Sequence, residues 1–108
     1  MYRYLILFSF SLAMMACSNK VISPTQSNVD QLTSTYPDVT LADLEKGRSI
    51  YAEKCNMCHG YYKPNEYSVE DWGKIVPVMV VKVNKKSKSE VIDREKEDQL
   101  LKYILSVK

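Results

Sequence analysis

Five residues near the middle of this chain, Cys55-Asn56-Met57-Cys58-His59, constrain it more than any other feature. The 108 residues contain three cysteines and one histidine, and two of those cysteines and the histidine fall inside this run. C-x-x-C-H is the pattern of covalent haem attachment. Two intervening residues let one tight turn present both sulfurs to the two vinyl groups on a porphyrin edge, and the next residue then falls beneath the iron. Cys55 and Cys58 are therefore read as the thioether attachment points of one haem c, and His59 as the proximal iron ligand. Haem held in this way does not dissociate, which suits an exported protein that could not replace it. Competing chemistries lack residues. Structural zinc wants four Cys or His ligands, and the remaining Cys17 is far off in sequence. A thioredoxin-like pair needs a preceding strand in a βαβ setting, whereas this motif follows a helical pattern. A structural disulfide would leave His59 without a role.

The amino-terminal residues explain how such a protein would be exported. Arg3 gives a basic start, and an apolar run from Tyr4 to Ala16 is broken only by Ser9 and Ser11. That is the form of an export signal, too short for a stable membrane span. It ends in Leu12-Ala13-Met14-Met15-Ala16-Cys17, which resembles a lipobox, the signal of bacterial lipoproteins, with Met14 where leucine is usual. The resemblance implies that residues 1–16 are removed and that Cys17 becomes the acylated first residue; an ordinary signal peptide leaving a free thiol is the alternative. Several acyl chains, at about 0.8 kcal/mol per buried methylene, hold a small domain firmly to a bilayer. The expected location is outside the cytoplasm, on a membrane facing the periplasm or the cell exterior.

Removal of the leader leaves enough chain for one small domain. Net charge is +2 with pI near 8.4, and loss of Arg3 brings the mature chain closer to balance, which argues against a nucleic-acid binder. Residues 17–39 are mostly Ser, Thr, Asn, Gln and Pro with scattered apolars and no helical or strand period. They read as a flexible tether, with an irregular arm packed on the domain as the alternative. Residues 40–108 read as an all-α domain. Thr40-Leu41-Ala42-Asp43 has capping-box form with Asp for the usual Glu, opening a helix toward Cys55 with Leu44, Gly47, Tyr51 and Cys55 on one face. A second helix is predicted from Ser68, with Asp71 three residues on and Val69, Trp72, Ile75 and Val76 apolar, until Pro77 interrupts it. A third is predicted from near Ser89, carrying Leu100, Leu101, Ile104 and Leu105. Acids (Glu90, Asp93, Glu95) crowd its start and lysines (Lys102, Lys108) its end, as the helix dipole prefers.

Over residues 40–108 the sequence resembles the class I c-type cytochromes. Beyond Cys55, Cys58 and His59, Gly47 and Tyr51 stand where that family has a glycine and an aromatic before the first cysteine. The resemblance implies a small helical domain around one haem, with the final helix crossing closely at Gly47 through Leu100 and Tyr103. Only nineteen residues separate His59 from Met79, fewer than in many relatives.

The sixth iron position decides what such a protein does, because a His/Met iron suits electron transfer and an open one permits ligand binding. Met1, Met14 and Met15 leave with the leader and Met57 lies inside the attachment turn, so Met79 remains. Related small cytochromes use a methionine after the second helix. Lys82 or a vacant site are the alternatives. Trp72 is read either as a donor to a haem propionate or as plain core. Tyr61, Tyr62, Pro64 and Tyr67 are read as pocket walls, and the resemblance implies that the Pro64 carbonyl accepts from the other nitrogen of His59. Lys82, Lys85, Lys86 and Lys88 form a basic stretch, either a solvated loop or a patch that steers acidic redox partners.

The expected function is a membrane-tethered electron carrier that performs no bond-making chemistry of its own. Two rivals remain: a haem-containing subunit of a larger respiratory complex, and an open-iron sensor or peroxidase-like protein. At this size, haem is expected to supply much of the core.

Overall fold

The computed structural model describes residues 21–55 and 63–108. The leader, Cys17, Met57, Cys58, His59, Tyr61 and Tyr62 lie outside the described residues. Those described are all-α: α1 Gln26–Leu32, α2 Leu41–Lys54, α3 Val69–Ser87 and α4 Arg94–Ser106, with a 3-10 turn at Pro64–Glu66 and no strand among them.

The cap expected at Thr40 is present. Its hydroxyl accepts from the Asp43 N–H at 3.2 Å while Asp43 Oδ2 accepts from the Thr40 N–H at 3.1 Å, satisfying two of the donors a helix start leaves unpaired. Asp43 also reaches α4, its Oδ1 accepting from Gln99 Nε2 at 3.2 Å. Partial burial opposes ionisation of Asp43, but the Thr40 and Gln99 hydrogen bonds and the nearby Lys102 cation outweigh it, so its pKa is lowered.

α2 and α4 form the closest contact in the fold, and Gly47 is the reason. A Cβ there would run into the Gln99 carbonyl and the Tyr103 Cβ, so only glycine lets the two backbones approach. Tyr103, Leu44, Leu100 and Ile104 are fully buried around this crossing, and the rings of Tyr51 and Tyr103 lie 5.7 Å apart. The crossing expected at Gly47, Leu100 and Tyr103 is therefore present.

Three elements differ from their sequence reading. The segment 17–39, expected as coil, contains a capped helix from its described part onward. Thr25 Oγ1 accepts from the Asn28 N–H, and Asn28 Oδ1 accepts from the Thr25 N–H at 2.8 Å. Val29, Leu32 and Val39 are buried with Leu44, so α1 is an arm packed on the domain.

α3 begins at its Ser68 cap, where the hydroxyl accepts from the Asp71 N–H at 3.0 Å, but it runs through Pro77 to Ser87. Proline removes the bond to the carbonyl four residues back, which belongs to Gly73. Both Pro77 and Gly73 are exposed, so water can satisfy that carbonyl and the break is tolerated. Met79 and the lysines Lys82, Lys85 and Lys86 consequently sit on a helix and not in a loop, with Lys88 as its left-handed cap at φ 56°.

α4 begins at Arg94 behind its Asp93 cap, five residues later than expected. Asn84 on α3 holds the intervening chain in another conformation, donating to the Ile92 carbonyl and accepting from the Ile92 N–H, both at 2.9 Å. This turns Ile92 into the core, where it is 2 % exposed.

Candidate functional site

Cys55 follows the last residue of α2 and donates its backbone N–H to the Tyr51 carbonyl at 3.3 Å, so the helix itself fixes where the C-x-x-C-H run begins. Its side chain enters an apolar cavity of about 30 Å³ lined by Tyr51, Trp72, Ile75, Val76, Met79, Leu100 and Ile104. Two of the residues singled out from sequence, Cys55 and Met79, thus share one cavity, although they lie on different elements. Three helices contribute: α2 through Tyr51, α3 through Trp72, Ile75, Val76 and Met79, and α4 through Leu100 and Ile104.

Burial pushes the Cys55 thiol up to about 12, because the apolar surroundings disfavour thiolate. At neutral pH the thiol keeps its proton in this conformation. Among the described residues there is no cluster of three or more His, Cys, Asp or Glu side chains suited to a metal ion. Cys58 and His59, which would complete the attachment turn, lie outside the described residues.

Trp72 and Pro64 answer one another. The indole Nε1–H of Trp72 donates to the Pro64 carbonyl at 2.7 Å, and Tyr67 packs edge-on against the indole with ring centroids 5.3 Å apart. In this conformation the Trp72 donor goes to Pro64, and Trp72 is core at 3 % exposure. Sequence reasoning missed this bond because it paired Trp72 with a propionate or the core and the Pro64 carbonyl with His59, not with each other. Lys82, Lys85 and Lys88 are exposed.

The residues fit a haem in chemistry: a thiol at the attachment turn, a thioether on the facing helix system and an otherwise apolar lining. In the present conformation the cavity is smaller than a porphyrin. α3 packs on α4 less extensively than α2 does. No family model, no curated protein and no solved structure matches this chain.

Proposed function

We propose that this protein is a mono-haem c-type cytochrome of the class I kind, exported, anchored to a membrane through acylated Cys17, and passing single electrons between redox partners outside the cytoplasm. One observation carries the reading beyond the motif: Cys55 and Met79 line the same apolar cavity. Covalent haem supplies reversible one-electron chemistry at its iron. The chain's own residues do the rest. Cys55 and Cys58 would hold the group covalently, and His59 and Met79 would donate to its iron, where a thioether ligand would raise the potential into the range of a carrier. Tyr51, Trp72, Ile75, Val76, Leu100 and Ile104 would keep water from it, and the hydrogen-bonded Trp72 and Pro64 hold the start of α3 to the Pro64–Glu66 turn. The exposed lysines of α3 give that helix a basic surface toward acidic partners.

A reduced-minus-oxidised visible spectrum of the protein from its native membrane, with and without carbon monoxide, tests this reading. The carrier predicts a c-type spectrum that carbon monoxide leaves unchanged, and Met79→Ala should lose the sulfur-to-iron band, lower the potential and open the site to carbon monoxide. A native protein that already binds carbon monoxide, with Met79→Ala spectroscopically silent, would favour the open-iron sensor instead. Release as a single chain in mild detergent separates a free shuttle from a subunit of a larger complex.

A further inference from the structure

The segment read from sequence as a loose tether is fastened to the domain from its first described residues. Arg48 on α2 donates through Nε and Nη2 to the Val21 carbonyl at 3.4 and 3.3 Å. The fully buried Tyr103 on α4 donates its hydroxyl to the Ile22 carbonyl at 2.6 Å. Asn28 Nδ2 donates to the Ser106 carbonyl at the end of α4 at 2.9 Å. Val21 packs against the cluster that contains Tyr51, Trp72 and Tyr103, while Val29, Leu32 and Val39 pack with Leu44. Two helix-borne side chains thus hold the arm by its backbone, the arm's own Asn28 bonds the backbone of α4, and two apolar clusters hold it by its side chains.

Between this latch and Cys17 the sequence has only Ser18, Asn19 and Lys20. Four residue steps span at most about 14 Å even when fully extended. A coil running from Cys17 to Thr40 would instead hold the domain at an r.m.s. distance of about 26 Å. The corner reached by the short leash also has a suitable character. Ile22 is 49 % exposed, beside the Arg48 cation, and Lys20 lies in the leash itself. An apolar tip next to cations suits the phosphate-bearing headgroup layer.

We infer that the domain rests on the surface of the bilayer that holds its own lipid, with the Val21–Ile22 corner and the Arg48 region of α2 facing the headgroups. This rests on the reading of Cys17 as acylated. Arg48 and Cys55 are seven residues apart on and just beyond α2, about 10 Å along its axis. Cys55 is therefore held close to the membrane, and the electron partners such a position suits are ones embedded in or seated on that same bilayer.

Neutron reflectometry on the full exported chain, reconstituted in a supported bilayer of phosphatidylcholine and phosphatidylglycerol, tests the inference. The expected result is a protein layer starting within about 14 Å of the headgroups, and an insertion of about ten Gly/Ser residues after Lys20 should broaden that layer and move it outward. A native layer already broad and detached, unchanged by the insertion, overturns the inference while leaving the anchor intact. Intact mass of the same material separates the two ideas: a Cys17 without acyl mass overturns the anchor and the inference together. Amide exchange on the unacylated Cys17→Ser chain reads the latch alone. Slow exchange across 26–32 supports it, and exchange at coil rates overturns it.

Discussion

Gly47 and Gly73 lie in neighbouring helices of one small domain, yet a methyl group added to each would meet very different surroundings. At Gly47 it would strike the backbone of α4, whereas at Gly73 nothing lies within 4 Å. The two positions mark two regions. The arm, α2 and α4 are joined by a glycine-mediated crossing and by side chains that bond across elements: Asp43 to Gln99, Asn28 to Ser106, Tyr103 to Ile22 and Arg48 to Val21. α3 is held more lightly, carries a proline in its middle, exposes Val78 and Val81, and borders the cavity that Cys55 enters. The contrast teaches that rigidity is unevenly divided: one region fixes where Cys55 sits, and the other is held more lightly at the border of the cavity.

The most severe way to probe that division is to remove the two cysteines proposed to hold haem. Size alone suggests that Cys55→Ala with Cys58→Ala gives a largely unfolded chain, but the packing of the arm, α2 and α4 narrows the expected loss to α3 and its connections. Hydrogen exchange should show α3 amides losing most of their protection while α2 and α4 keep theirs. Uniform protection throughout would dissolve the distinction between the regions.

Next in size is the pair of identical substitutions. Gly47→Ala should cost about 3 kcal/mol or more, since the clash is with backbone and not with a flexible side-chain end. Gly73→Ala should stabilise by about 0.5–1 kcal/mol, because it improves helix propensity in open space. Urea midpoints read both, and equal effects of the same sign would contradict the two-region picture.

Smaller still is the contribution of the Tyr103 hydroxyl. Tyr103→Phe should cost about 1 kcal/mol at neutral pH by removing one buried hydrogen bond. Burial raises the Tyr103 phenol to about 12, with the Arg48 cation partly opposing the shift. A phenol that holds its proton more tightly in the folded state contributes stability that is complete below its ordinary value near 10 and is lost as pH rises toward about 12. The native chain should therefore weaken along that alkaline limb, and Tyr103→Phe should flatten it. A limb unaltered by the substitution would assign it to other groups.

How much of this was readable in advance follows from the range of each interaction. The Thr40–Asp43 and Ser68–Asp71 caps were legible because both partners lie within one turn. The Gly47 crossing was legible through the resemblance to class I cytochromes, although the contacts there are Gln99 and Tyr103; Cys55 was singled out by its motif and Met79 by elimination, and the structure adds that both line one cavity. α1 was not legible: at seven residues it offers two buried apolars, and its Thr25–Asn28 cap uses Asn where Glu is usual. The start of α4 was hidden because Asn84, eight residues away, decides the conformation of Ile92. Continuation of α3 through Pro77 was hidden because it depends on which way the Gly73 carbonyl faces, and that is set only once the helix has packed.

The most direct test of the account is the intact mass of the exported chain after denaturation, which separates covalent from dissociable groups. The account predicts one haem retained on the polypeptide, with neither Cys55 nor Cys58 available to a thiol reagent. Two reactive thiols at these positions, or zinc released as the chain unfolds, would contradict it.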